Sequence, residues 1–226
     1  MSRNLLVAFA ACSALHLIAL VADVTALEWA TKPMLAPLLA CHVMVRRGPR
    51  LVAAGLLLSA AGDVALMFPD TAAFVIGMGC FASAHVCYVT FFVRRGVAQR
   101  LRRQWPIPLG YAALWGTLVL LLWTDLKSLR VPVAIYSMLL TATAIASLGF
   151  GLRTGAGGAL FFLSDTLIAF RLAGTGLPLS DVGIMGTYIA AQFLIASGSS
   201  ATASTARPGA RLRAAAPGRS RPGGAR

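Results

Sequence analysis

Apolar residues run through this chain in long stretches, and short polar segments with most of the charges separate them. Eight such stretches can be marked, at residues 4–22, 31–45, 51–68, 72–93, 107–123, 131–150, 156–173 and 182–198. Most of them approach the ~20 residues with which an α-helix crosses the hydrocarbon core of a bilayer. The pattern therefore predicts an all-α fold, a polytopic bundle of eight transmembrane helices that occupies residues 1–198.

The composition supports a membrane protein. Of 226 residues, 58% are hydrophobic and 12% are charged, whereas a soluble domain has about 25% charged residues. These values exclude a water-soluble enzyme, a disordered chain and a disulfide scaffold. The four cysteines lie within the apolar stretches and form no CxxC pair, so we interpret them as small core residues.

The basic residues predict the orientation in the membrane. With the N-terminus inside, the inner segments hold all but four of the 20 Lys and Arg residues. The four exceptions are Lys32, Lys127, Arg130 and Arg171. The positive-inside rule then places both the N- and the C-terminus in the cytoplasm.

The C-terminal segment, residues 199–226, consists mainly of Ala, Gly, Pro, Ser and Arg. It has too few large apolar residues to bury a core, and we expect a disordered basic tail. Its arginines could attract anionic lipid headgroups, but compositional drift is the interpretation we favour. Without this tail the excess of positive charge is modest, so we expect no nucleic-acid partner.

Two carboxyl groups lie within the body of predicted spans, where a charge costs several kcal/mol. Asp63 lies in GLLLSAAGDVALMF and Asp165 in GGALFFLSDTLIAF, and a glycine stands eight residues before each, at Gly55 and Gly157. The two segments are four predicted helices apart, which indicates a parallel duplication of four helices plus four. A pseudo-twofold axis along the membrane normal would bring the two acids to facing positions.

Two carboxyl groups at one level in a low-dielectric bundle cannot both ionise cheaply, so we expect one protonated and one charged. An acid/base hydrolase needs this arrangement. Two alternatives stay open: the acids can hold the bundle together by capping backbone groups, or they can relay protons in a transporter. Ser164 precedes Asp165 and can hydrogen-bond a carboxylate, which favours Asp165 as the base and Asp63 as the acid.

Six further polar residues within the spans or at their mouths are candidates for substrate binding. They are Lys32, His85, Tyr88, Tyr136, Tyr188 and Gln192. A lone intramembrane His is often only a hydrogen-bonding residue between helices, and a Lys at a helix mouth often only snorkels to water. No HxxxH or CxxC spacing, Walker loop, dinucleotide fingerprint or GxSxG turn is present, so we expect no metal site.

These residues follow one another in an order that resembles the lysoplasmalogenase (YhhN-like) membrane proteins. In that family a Gly-Asp in one helix is followed by F-x-x-G and H-x-x-Y in the next. The matching segments here are Gly62-Asp63, Phe74 to Gly77, His85 to Tyr88, GGALFFLSDTLIAF, TYIAAQFLI, Thr31-Lys32-Pro33 and Tyr136. The resemblance covers about residues 4 to 198.

The resemblance implies hydrolysis of the vinyl ether bond of lysoplasmalogens, which yields a fatty aldehyde and a glycerophospho-base. Asp63 and Asp165 would be the catalytic residues, and no cofactor is needed. The partners would be the lysophospholipid substrate and membrane lipid. The many Ala and Arg residues suggest a bacterium, so we expect the protein in a bacterial inner membrane. The alternative is a small-solute or lipid transporter that uses the same Asp pair as a proton relay.

A reporter enzyme or fluorescent protein fused to the C-terminus should report a cytoplasmic location, because the basic residues concentrate on that side. The same reporter fused after residue 70 should report the opposite side and serves as the control. An extracytoplasmic C-terminus would contradict both the orientation and the even number of spans.

Overall fold

Residues 1–175 and 180–205 are described by the computed structural model of the chain, and in these ranges the chain is helical and contains no strand. The all-α prediction is confirmed. A single 3₁₀ turn, Lys127–Leu129, precedes α7. The α-helices are α1 (Ser2–Ala22), α2 (Thr25–Val45), α3 (Arg50–Ala65), α4 (Thr71–Arg94), α5 (Val97–Arg103), α6 (Pro106–Leu122), α7 (Arg130–Phe150), α8 (Leu152–Leu172) and α9 (Ser180–Thr205).

Nine α-helices in the described ranges is one more than the eight predicted. The additional helix is α5, a seven-residue segment with three arginines in its last turn. Gly96 adopts a left-handed conformation (φ 80°) that ends α4, and Pro106 restarts the chain as the first residue of α6. Because α5 is short and basic, the apolar pattern alone predicted a loop there.

Five helices are long and apolar enough to cross a membrane, namely α1, α4, α7, α8 and α9. A sixth span is present if α5 and α6, which meet at 91°, are taken together. Helix α3 has only 16 residues, and α2 carries Glu28 and Lys32 together with two prolines. The described residues therefore form an integral membrane protein. Five or six of the eight predicted spans are long and apolar enough to cross a membrane.

The outer surface of the bundle carries large apolar side chains. Val21, Ile76, Leu120 and Leu152 are each more than half exposed. Apolar side chains of this kind can contact lipid tails, and the backbone polar groups of each helix form their hydrogen bonds within the helix.

Neighbouring helices pack in the same way in the two halves of the bundle. Helix α3 packs between α2 and α4, and α8 packs between α7 and α9. The halves meet where α4 packs on α7 and where α2 packs on α9. Large buried side chains fill the centre, among them Leu35, Tyr88, Phe92 and Phe161.

Two glycines allow these helix pairs to approach closely. A Cβ at Gly55 of α3 would lie 2.4 Å from the Tyr88 ring of α4. A Cβ at Gly157 of α8 would lie 2.9 Å from the Ala191 carbonyl oxygen and 3.0 Å from the Ile195 nitrogen of α9. Small residues at helix contacts are the usual means of close packing in membranes.

Helix α9 continues to Thr205, so it includes the first residues of the segment that the sequence assigns to a tail. The remainder of that segment, residues 206–226, lies outside the described residues.

Gly157→Ala should destabilise the bundle by about 1–3 kcal/mol, the usual cost of overpacking, because the new methyl group meets backbone atoms that cannot move aside. The matched control is Gly186→Ala on α9, where a Cβ meets nothing within 4 Å. Alanine there should leave stability unchanged or raise it by up to about 1 kcal/mol. Thermal unfolding of the two purified variants in detergent measures the difference. Equal melting temperatures would contradict the close α8–α9 contact.

Candidate active site

A cavity of about 510 Å³ lies at one end of the bundle, between α1, α2, α3, α4, α7, α8 and α9. Asp63 and Asp165, from α3 and α8, both line it. The two intramembrane acids singled out in the sequence therefore share one cavity.

Asp63 is held on the buried side of this cavity. It is 3% exposed and lies in the last turn of α3, which ends at Ala65. The sequence placed Asp63 in the body of a span, and the structure corrects this, because α3 stops short and the chain turns at residues 66–69. The Tyr188 hydroxyl of α9 donates a hydrogen bond to Oδ2 of Asp63 at 2.6 Å, and Lys32 of α2 interacts with this carboxyl group electrostatically.

Asp165 lies in the body of α8 and is half-buried. Its Oδ2 is hydrogen-bonded to the hydroxyl group of Tyr136, on α7. The neighbouring Ser164 donates its hydroxyl proton to the carbonyl oxygen of Ile184 at 3.0 Å. Ser164 is thus engaged with the backbone of α9, and the sequence argument that it favours an ionised Asp165 loses its basis.

His85 lies behind Tyr136 and does not line the cavity. Its ring is fully buried, and Nε2 lies 3.3 Å from the Tyr136 hydroxyl oxygen. Nδ1 lies 3.1 Å from Oγ1 of Thr143 on α7. The Phe161 ring packs against the imidazole with the ring centroids 4.8 Å apart. His85 therefore reaches the acids through a tyrosine and has no free path to the cavity.

Tyr88 and Gln192 form a similar layer behind Tyr188. The Tyr88 hydroxyl donates to Oε1 of Gln192 at 2.9 Å, and both residues are buried. The Gln192 side chain adjoins the Tyr188 hydroxyl and interacts with it, although its Nε2 lacks a hydrogen bond of standard geometry among the described residues. Of the six candidates for substrate binding, Lys32, Tyr136 and Tyr188 line the cavity, and His85, Tyr88 and Gln192 do not.

The mouth of the cavity is charged and its walls are apolar. Asp23 and Glu28 line it beside Lys32, and an ion pair between Arg171 and Asp181 joins α8 to α9 there. The apolar lining residues include Met78, Phe81, Ile168, Leu172, Ile184 and Met185. In the sequence these mouth charges are separated along the chain. The one signal that Lys32 and Arg171 share is that neither belongs to the predicted inner segments.

His16 of α1 also lines the cavity. Its Nδ1 lies 2.8 Å from Oγ1 of Thr31, and its Nε2 has no hydrogen-bond partner in the described part of the chain. A single histidine in an apolar helix gives no signal that distinguishes lining from packing.

The chemistry available here is that of two carboxyl groups, each paired with a tyrosine hydroxyl, beside an apolar cavity. Within the described ranges, His, Cys, Asp and Glu side chains form no group of three or more that could hold a metal ion. Proton donation by one carboxyl group and proton acceptance by the other are the reactions that this arrangement suits.

Comparison with known proteins gives the family. The model of the YhhN family matches residues 27–199. Human lysoplasmalogenase TMEM86B is 37% identical over 146 residues, which cover 65% of this chain and 62% of that protein. The lysoplasmalogenase of Mycobacterium tuberculosis is 32% identical over 184 residues, 76% of this chain and 70% of that protein. The match spans about three fifths of the mammalian relatives, and no solved structure matches the chain.

The family model covers more than half of the chain, and it includes both aspartates, the tyrosines that hold them and the lysine at the cavity mouth. The chain is therefore a member of the YhhN family.

Proposed function

We propose that this protein is an enzyme that hydrolyses the vinyl ether bond of lysoplasmalogens, with Asp63 and Asp165 as its catalytic residues. The observation that carries the proposal is the pair of carboxyl groups on one cavity inside an apolar bundle. The names of the relatives supply the reaction class.

The shape and lining of the cavity suit a lysophospholipid. Its apolar walls can accept the single alkenyl chain, and its mouth offers charges of both signs. In this proposal the Lys32 ammonium group binds the substrate phosphate. The carboxylates of Asp23 and Glu28 lie at the same mouth, where they can meet the positive charge of the base.

The reaction uses one protonated and one ionised Asp. The carboxylic acid donates its proton to the β-carbon of the vinyl ether, and the π electrons form the new C–H bond, which leaves an oxocarbenium ion. The ionised carboxylate stabilises this cation and accepts a proton from the water that adds to it. The product of this step is a hemiacetal.

Collapse of the hemiacetal returns both Asp side chains to their starting protonation states. The hemiacetal hydroxyl proton passes to the Asp that protonated the β-carbon, and the C–O bond to glycerol breaks. The carboxyl group that took its proton from water returns it to the departing oxygen. One water is consumed, a fatty aldehyde and a glycerophospho-base leave, and each Asp regains its starting protonation state.

We also propose that the protein has eight spans, built from two repeats of four helices. The helix contacts support a twofold axis that would exchange α2, α3 and α4 with α7, α8 and α9. Such an axis would relate the α2–α3 and α3–α4 contacts to the α7–α8 and α8–α9 contacts, and the α4–α7 contact to the α2–α9 contact. The aligned glycines before each Asp, Gly55 and Gly157, both lie at such contacts. Eight spans would place the N- and C-termini together in the cytoplasm of a bacterial cell.

Neither the family nor the names of the relatives supports the transporter alternative. A hydrolase should release aldehyde from lysoplasmenyl-ethanolamine in detergent, without a sealed membrane or an ion gradient. Dependence of substrate turnover on sealed vesicles would favour a transporter.

Asp63→Asn and Asp165→Asn should each lower aldehyde release by about 10²–10⁴-fold, the usual contribution of general acid or base catalysis. Asparagine keeps the volume and hydrogen bonding but cannot donate a carboxylic proton or carry the charge. The double variant should be little worse than either single one, because the two groups act as a unit.

The control is Asp70→Asn, at the N-terminal cap of α4, where the side chain accepts from the Ala73 amide and asparagine caps equally well. This variant should retain wild-type turnover. If either catalytic-site Asn variant keeps more than about a tenth of the wild-type rate, a two-carboxylate mechanism is wrong.

A further inference from the structure

The tyrosine that contacts each acid has a different polar partner behind it, His85 behind Tyr136 and Gln192 behind Tyr188, and this difference distinguishes the roles of the two acids. Thr143 donates its hydroxyl proton to the Leu139 carbonyl oxygen at 3.1 Å. A hydroxyl group has one proton. With that proton on the Leu139 carbonyl oxygen, the bond between Thr143 and His85 is made by Nδ1–H of His85.

His85 is buried among apolar and hydroxyl groups and contacts no carboxylate directly. The neutral ring is the form that such surroundings stabilise. With its proton on Nδ1, a neutral ring has a lone pair on Nε2, which can only accept. The Tyr136 hydroxyl is the donor within reach, at 3.3 Å.

Tyr136 also has one proton. If that proton is donated to His85, the Tyr136 oxygen must accept from Asp165, and Asp165 must then be a carboxylic acid. In this arrangement each group donates to the next: Asp165 to Tyr136, Tyr136 to His85, His85 to Thr143, and Thr143 to the Leu139 carbonyl oxygen. In the opposite arrangement Tyr136 donates to an ionised Asp165, and Nε2 of His85 is then left without a donor.

The chain of hydrogen bonds on the other side points toward Asp63. Tyr88 donates to Oε1 of Gln192, and the Gln192 side chain interacts with the Tyr188 hydroxyl group. Tyr188 donates its proton to Asp63. The positive charge of Lys32 interacts with the same carboxyl group. Asp63 therefore has one hydrogen-bond donor, Tyr188, and one cation, Lys32, and both stabilise an ionised carboxylate.

We infer that Asp165 is the proton donor and Asp63 the proton acceptor of the reaction, and that His85 is a positioning residue that holds Asp165 in its protonated form through Tyr136. This inference rests on the proposed hydrolysis for its mechanistic meaning, but the protonation states can be measured without turnover. Once Asp165 has given up its proton, Tyr136 donates its own proton to the new carboxylate, and Nε2 of His85 no longer has a donor. Because this loss is reversed when Asp165 is protonated again, the hydrogen-bond chain favours reprotonation of Asp165 after each cycle.

Other titratable and charged groups also lie near Asp165. Helix α7 contributes Tyr136, α3 contributes Asp63, and α9 contributes Tyr188. Arg130 of α7 lines a second, smaller cavity with Asp165, and its guanidinium group lies over the Trp123 ring. Beyond these, Lys32, His16, Asp23 and Glu28 line the cavity from α1 and α2 or the turn between them, and Arg171 and Asp181 are paired with each other at the mouth.

The test is infrared spectroscopy of the purified full-length protein in detergent, which detects the carbonyl stretch of a protonated carboxyl group. At neutral pH the wild type should show this band, and Asp165→Asn should lose it. A band that survives Asp165→Asn at neutral pH would overturn the assignment.

Thr143→Val tests the role of His85 without removing the ring. Valine leaves Nδ1–H without an acceptor, so the proton moves to Nε2 and is donated to Tyr136, which then donates to Asp165 and stabilises its ionised form. The band should disappear at a pH about one unit lower than in the wild type, the equivalent of one hydrogen bond. Thr141→Val is the matched control, because Thr141 lies two residues before Thr143 on the same helix and donates to the Ser137 carbonyl oxygen. It should leave the band unchanged.

The pH dependence of kcat/KM adds a second readout. Its alkaline limb should move to lower pH in Thr143→Val, while its acid limb and the Thr141→Val profile stay in place. Coincident infrared titrations of the two threonine variants would overturn the role of His85. An absence of hydrolysis in all variants, with the infrared results as expected, would overturn the proposed reaction and leave the assignment of the protonated acid intact.

Discussion

The burial of two carboxyl groups in an apolar helix bundle is the constraint on which the rest of the site depends. Each group loses its hydration, and a hydrogen bond from the protein must replace it. The replacements are tyrosine hydroxyls from other helices, Tyr188 of α9 for Asp63 and Tyr136 of α7 for Asp165. The acids are therefore stable only when these helices are packed in place, so the fold and the site form together.

This constraint explains why the contacts between helices are so close. Glycines at the α3–α4 and α8–α9 contacts bring the backbones together, and the tyrosines then span the remaining distance to the acids. Behind them lies a second layer of polar side chains, with His85 beside Tyr136 and Gln192 beside Tyr188. An apolar cavity with a charged mouth remains between the two arrangements. A lipid with one chain and a charged headgroup has the same division of polarity.

The sequence predicted the all-α class and the two acids, because apolar stretches and intramembrane charges are strong local signals. It did not predict α5, since a short basic helix resembles a loop, or the early end of α3 just after Asp63. The sequence also did not predict which side chains hydrogen-bond to the two acids or to their tyrosines. Ser164 precedes Asp165 in sequence but donates to the backbone of α9, whereas His85 is far away in sequence and lies one tyrosine from Asp165. Such relations depend on how helices face each other, which periodicity does not specify.

Proton transfer from a carboxylic acid to carbon is the central chemical claim, and hydrolysis in deuterium oxide tests it most directly. Purified protein in detergent, supplied with lysoplasmenyl-ethanolamine, should release an aldehyde that carries one deuterium on the carbon next to its carbonyl group. That carbon is the former β-carbon of the vinyl ether, and mass spectrometry after rapid reduction of the aldehyde locates the label. An aldehyde without deuterium at this carbon, or no aldehyde at all, would contradict the account.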